Sequence, residues 1–194
     1  MTRLTVKERL RAGHVRRWHI VATVREQTIA DHMYRVALLT EEVLTTLGLF
    51  DWDCALTLNA MEWARVHDLP EVVTGDVPTN AKHLYRSVGV KDAMDQVEHT
   101  RDDYVAELAD CVAPTGECPL AGAIVKLADL MEAANFCAIF GVGAHADQVW
   151  RGLAEAANQQ VRVVVNLVNE THGLSSAVAY HALSNLLHEV INDA

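Results

Sequence analysis

The sequence has no Cys-x-x-Cys spacing, no surplus of positive charge, no apolar run of membrane-spanning length and no convincing alternating strand pattern, and each lack removes a class of protein. Its four cysteines, Cys54, Cys111, Cys118 and Cys137, are scattered along the chain. That spacing suits reduced core thiols better than a disulfide framework. Sixteen Lys and Arg stand against 26 Asp and Glu, a formal charge of −10, which argues against a nucleic-acid duplex or an anionic membrane surface as partner. A small anionic substrate stays compatible, because a local Arg or Lys can outweigh the average field. Neither a signal-peptide core in residues 1–20 nor a bilayer-length segment is found. The expectation is a soluble, cytoplasmic protein, in the host cytoplasm if the chain is viral. Internal repeats and low-complexity segments are missing too.

What is present is helical. With 194 residues, 51% of them hydrophobic, the chain is long enough for one buried core and is expected to form one domain over residues 1–194. Thr5-Val6-Lys7-Glu8 has the form of a capping box, predicting a helix to about Val15. Residues 16–27 read as a loop. Thr28 to Asp31 approximates a second cap, and His32, Val36, Leu39 and Val43 then recur at helical spacing up to Gly48. Further helices are expected over 53–68, 90–112 and 120–140, the last apolar nearly all round and led by Pro119. Two more follow, one capped by Asp147 and reaching His172, one capped by Ser176. The fold class is all-α, with about six to eight helices. The valines at 161, 164, 165 and 168 suit a subunit interface or the monomer core equally.

Chemistry concentrates in Val66-His67-Asp68-Leu69-Pro70-Glu71, continuing to Pro78. An adjacent His-Asp pair offers one imidazole nitrogen and one carboxylate oxygen to a single point, a mixture that borderline divalent metals accept. Glu71 follows His67 by four residues, which on a continuous helix puts both on one face. His32 lies on an inward stripe and Asp129 in the middle of the apolar helix. Each has a plainer alternative: His32 as a hydrogen-bonded core residue, Asp129 as the i,i+3 ion-pair partner of Lys126. A divalent cation at a common point would satisfy both imidazoles and the carboxylates together.

The set His32, His67-Asp68 and Asp129 resembles the HD-domain phosphohydrolases. With Arg17-Trp18, the run Glu71-x-x-Thr74-Gly75-Asp76-x-Pro78-Thr79-x-x-Lys82 and Lys126-x-x-Asp129, the pattern looks like the bacterial 5′-deoxynucleotidases of that superfamily, an HD-type helical bundle. The resemblance implies that His32, His67, Asp68 and Asp129 hold one divalent transition metal (Co, Zn, Mn or Fe), with Asp68 and Glu71 catalytic and Glu71 the general acid or base. Arg17 and Lys82 would contact phosphate, Trp18 would pack on sugar and base and disfavour ribose, and Asp76 would accept from the 3′-hydroxyl. The expected reaction is hydrolysis of a 2′-deoxynucleoside 5′-monophosphate at the α-phosphorus, and a homo-oligomer is expected. Two departures stand out: His19 replaces the proline that usually follows the Trp, and the stretch from His-Asp to the last Asp is several residues shorter. Trp18-His19-Ile20 is also similar to the base-contacting segment of phage dATP phosphohydrolases, which places Ile20 against adenine. The alternatives are therefore a dATP-preferring triphosphohydrolase, with a possible second divalent ion along its polyphosphate, and, from another class, a non-catalytic nucleotide sensor.

Overall fold

The computed structural model describes residues 5–69, 71–76 and 118–192. Among these, every extended element is helical: α1 (Val6–Arg9), a 3-10 turn (Leu10–Gly13), α2 (Ile29–Thr46), α3 (Cys54–Val66), α4 (Glu71–Thr74), α5 (Pro119–Phe140), α6 (Gly143–His172) and α7 (Ser176–Asn192). The expected helix over 90–112, and with it Cys111 and Lys82, lies outside the described residues. Among the described residues, β pairing is limited to two isolated bridges, Arg16 with Thr28 and Thr23 with Gly141.

The bundle is built around α5. Its Ala-rich, apolar sequence has strong helical propensity, and Pro119 starts it without wasting an N–H that would have no partner in the first turn. Leu120, Ile124, Leu127, Met131 and Phe136 are buried, and the helix packs against α2, α3, α6 and α7. One contiguous core runs from Ala12 to Ile191 and includes Val161, Val164, Val165 and Val168. Those valines are thus spent inside the chain. Helices α5 and α6 run antiparallel, tied near both ends by Gln160 Nε2 donating to the Ala123 carbonyl (3.0 Å) and Cys137 Sγ reaching the Ala146 carbonyl (3.3 Å). Their corner needs glycine: a Cβ at Gly141 would sit 2.4 Å from the Cys137 carbonyl oxygen, and Gly143 has φ +82°.

Several boundaries differ from expectation. The first helix does not reach Val15, because after Arg9 the backbone tightens into the 3-10 turn and Val15 leaves it to accept a bond from the Ile29 N–H (2.9 Å). Helix α6 begins at Gly143, not at an Asp147 cap, and its N-cap Val142 has no side-chain cap. The Val142 N–H donates to the Ala22 carbonyl (2.9 Å), a tertiary contact that fixes the residue before the helix. Helix α7 already includes Ser176, so its cap position falls one residue earlier. Cys54 is exposed and Cys118 partly so, and only Cys137 behaves as a core thiol; all three are free.

Both capping boxes form as expected. Thr5 and Glu8 cap α1, and Thr28 and Asp31 cap α2, each through reciprocal side-chain to backbone bonds. Asp53 caps α3 through the Leu56 N–H (2.9 Å) and meets His172 Nε2 with its other oxygen (3.0 Å). The Leu56 N–H, and after it the bond with His172, hold the Asp53 carboxyl below the usual carboxylate range. A depressed folded pKa adds stability above the unfolded value and loses it as pH falls through the folded one. Asp53→Ala is therefore expected to cost about 1 kcal/mol at pH 7, with the gap to the parent closing below about pH 4. Urea denaturation of both proteins at the two pH values checks this.

Candidate active site

Helix α2 carries His32 into the core, fully buried on the face that also holds Ile29 and Val36. Helix α3 stops at Val66, leaving His67 as its C-cap, with the His67 N–H still bonded to Trp63 O (2.9 Å). The proline at 70 cannot supply the N–H that a continuing helix requires. Glu71 accordingly opens a separate turn, α4, and the shared-helix-face argument linking it to His67 does not hold. The two are joined instead by successive turns, with Glu71 N–H donating to Asp68 O (3.0 Å).

The four candidate ligands meet. His32 Nε2 lies 3.3 Å from His67 Nε2, 3.3 Å from Asp68 Oδ2 and 3.3 Å from Asp129 Oδ1. His67 Nε2 is 3.5 Å from Asp68 Oδ2. His32, His67 and Asp68 form a group whose ligand atoms all lie within 4.8 Å of one another, and Asp129 joins it through His32. Asp129 makes two contacts at once, one oxygen near His32 and the other taking Lys126 Nζ at 2.7 Å.

The outer nitrogens of both imidazoles are already engaged. His67 Nδ1 donates to Ala64 O (2.8 Å), and His32 Nδ1 faces Glu132 Oε2 at 2.7 Å. This fixes both rings with Nε2 toward the shared point. Burial pushes the His67 pKa down and keeps that ring neutral. Burial and the Arg17 charge oppose protonation of His32 as well, but hydrogen bonds with Asp129, Asp68 and Glu132 prevail and push it up to about 10. Asp68, although buried, is held well below the usual carboxylate range by His67 and His32, and Asp129 likewise by Lys126 and His32. The extra proton on His32 balances these ionised carboxylates, and a divalent cation at the shared point would displace it, leaving both Nε2 lone pairs as ligands. The donor set fits a divalent cation.

Residues 16–27 hold the other half of the site. The Arg17 N–H donates to Gln27 O (2.9 Å) and closes the base of the loop, while Val24 N–H to Phe140 O (2.9 Å) laces its far end to the α5–α6 corner. Trp18 adopts φ 66°, a left-handed conformation uncommon for a residue with a Cβ. Its ring stacks on Phe136 (5.6 Å, 8° between planes), and its indole N–H donates to Gln27 Oε1 at 2.8 Å. The Arg17 guanidinium lies 5.7 Å over the Trp18 ring and 3.5 Å from Glu132 Oε2. Although burial opposes its charge, Asp68, Asp129, Glu132 and Asp76 raise its pKa.

A cavity of about 760 Å³ joins these halves, lined by Arg17, Trp18, Ile20, Asp76, Lys126 and Asp129 and by the apolar Val21, Val149 and Leu153 among others. Its volume is ordinary for a site that takes a small-molecule ligand. Ile20 is half exposed. Sequence reasoning missed two residues that stand behind Trp18 and His32, the buried Gln27 and Glu132, each 2% exposed. Glu132 carried a signal, since a charged residue three positions after Asp129 on an otherwise apolar helix shares its face. Gln27 carried none.

Residues 6–139 match the model of the 5′-deoxynucleotidase YfbR-like family. A dATP triphosphohydrolase of Cyanophage S-2L is 36% identical over 160 residues, covering 79% of this chain and 81% of the relative. A second, from Salmonella phage PMBT28, is 32% identical over 163 residues, covering 82% and 79%. Among solved structures, the Cyanophage S-2L HD phosphohydrolase bound to dA and one catalytic Zn²⁺ ion aligns over 100% of both chains, with a TM-score of 0.71 and 30% identity.

Proposed function

The chain belongs to the 5′-deoxynucleotidase YfbR-like family and is an HD-domain phosphohydrolase; from that premise we propose that it hydrolyses dATP at the α-phosphorus, yielding deoxyadenosine and triphosphate. The observation that carries this reading is that Asp129, Arg17, Trp18 and Ile20 line one and the same cavity. The resemblance to the bacterial 5′-deoxynucleotidases implies a mononucleotide, but the motif does not separate it from the triphosphate, because the same α-phosphorus serves either substrate. The names of the phage relatives favour the triphosphate. No helix of the described residues is long and apolar enough to cross a membrane.

In this reading His32, His67, Asp68 and Asp129 hold one divalent cation, zinc before cobalt or manganese because the phage structure carries Zn²⁺. Such an ion supplies Lewis-acid polarisation of a phosphoryl oxygen and acidifies water. Arg17 offers its planar fork to the phosphate from the Trp18 side of the cavity. The Trp18 ring, braced by Phe136, forms a floor for the deoxyribose and crowds the 2′ position, and Ile20 lies against the base. Asp76 accepts from the 3′-hydroxyl. Water adds to the α-phosphorus as the bond to the 5′-oxygen breaks, and Glu71 delivers the proton that the leaving 5′-oxygen requires. Lys82, outside the described residues, is the second phosphate contact in the same proposal.

Product analysis tests it. Incubation with dATP and zinc, followed by ion-exchange chromatography, is expected to give deoxyadenosine and tripolyphosphate in equal amounts, with ATP turned over far more slowly. Orthophosphate from dAMP with no tripolyphosphate from dATP would return the function to a mononucleotidase.

A further inference from the structure

We propose that Gln27 and Glu132 are positioning residues that couple the substrate-stacking indole of Trp18 to the imidazole of His32. The proposal rests on the reading of His32 as a metal ligand. The links are Trp18 Nε1 to Gln27 Oε1 (2.8 Å), Gln27 Nε2 to Glu132 Oε1 (2.6 Å) and His32 Nδ1 to Glu132 Oε2 (2.7 Å).

The polarity of this chain is fixed by chemistry alone. An indole can only donate, so the Gln27 amide must present its oxygen to Trp18 and its nitrogen to Glu132. A carboxylate can only accept, so the ring proton of a neutral His32 must sit on Nδ1. Its Nε2 lone pair is thereby presented to the point shared with His67, Asp68 and Asp129. Neither an amide flip nor a second tautomer satisfies every member. Gln27, His32 and Glu132 are all buried to 2% exposure or less, so water has no ready access to replace a lost link.

The chain also has a mechanical consequence. Trp18 is kept in its left-handed conformation by three restraints: the indole bond, the stack on Phe136 and the Val21 N–H to Trp18 O bond (3.2 Å). Arg17 reaches the same Glu132 oxygen that orients His32. Displacement of the Arg17-Trp18 pair by a nucleotide is transmitted to the ligand ring through one carboxylate. Sequence separations of 105 and 100 residues for the two inner bonds mean that the coupling exists only in the folded chain.

Three variants of the full-length protein test this without turnover. Glu132→Gln places an amide where only an acceptor fits, Gln27→Leu removes two links at similar volume, and Trp18→Phe keeps the ring stack but deletes the donor. Zinc affinity is read by competition with a chromogenic chelator, and the His32 tautomer by long-range ¹H–¹⁵N NMR. Glu132→Gln is expected to weaken zinc binding roughly 10–100-fold. Trp18→Phe and Gln27→Leu are each expected to weaken it by about two- to tenfold, and a fourth variant that combines these two no more than Gln27→Leu alone. Should Gln27→Leu fail to fold, Trp18→Phe carries the test by itself. Parental zinc affinity and tautomer in the folded variants would reduce the chain to packing and overturn the proposal. A parent that binds no zinc would overturn both it and the ligand reading, whereas intact coupling without dATP turnover would count against the dATP reading alone.

Discussion

Asp68→Asn is expected to lower dATP hydrolysis by about a thousandfold or more and to strip the protein of zinc. Asn keeps an oxygen at the same position but loses the full negative charge, which in a buried setting is what pairs with a cation. Asp68 sits 3.3 Å from His32 Nε2 and 3.5 Å from His67 Nε2, so no neighbour replaces it without moving a ring. Loss of the several kcal/mol that a Lewis acid contributes to the transition state sets the size of the effect. Glu71→Ala is the informative contrast: activity is expected to fall by roughly 10²–10⁴, with metal content unchanged. The measurements are steady-state hydrolysis by chromatography and zinc by elemental analysis, with circular dichroism to confirm intact helices. Full hydrolysis rates in either variant with an intact metal site would show that the roles are wrongly assigned.

The second large effect belongs to Arg17. Its guanidinium is nearly enclosed, with only 14% of the side chain exposed, and is held between Glu132 and the Trp18 face. Two hydrogen bonds from a charged fork to a phosphate correspond to roughly 3 kcal/mol, about a hundredfold in kcat/KM. Arg17→Gln should therefore lose about that factor for dATP, with the zinc affinity changed far less than in Asp68→Asn. Arg17→Lys is expected to recover little, because a point charge on a flexible stem cannot span phosphate and Glu132 together. A Lys variant with parental kcat/KM would mean that Arg17 acts as a diffuse charge and not as a fork. Arg17→Gln and Asp68→Asn thus separate phosphate recognition from metal retention, although the two charges lie close enough to interact.

Much of the helical scaffold was legible because its determinants are local. The Thr5/Glu8 and Thr28/Asp31 boxes close within four residues of sequence, and the stripe through His32 and Val36 follows from 3.6 residues per turn. Errors fell where long-range contacts set the boundary. Helix α6 starts at Gly143 because Val142 is held by Ala22, and the helix after Thr5 stops early because Val15 pairs with Ile29. A reading of caps alone sees neither partner. The break between α3 and α4 separates His67 from Glu71, although spacing by itself suggested one face.

By itself the sequence determined an all-α chain, the identity of the four candidate ligands and the family to which the chain belongs, because these depend on residue types at fixed short spacings. Tertiary structure decided the rest: that His32, His67, Asp68 and Asp129 converge, that Asp129 serves Lys126 and the ligand cluster with different oxygens, and that Gln27 and Glu132 stand behind His32. Convergence of groups a hundred residues apart is set by how α2, α3 and α5 pack, and helix packing angles are a property of many buried side chains together. The direction of each buried hydrogen bond then follows from which partners that packing leaves within reach.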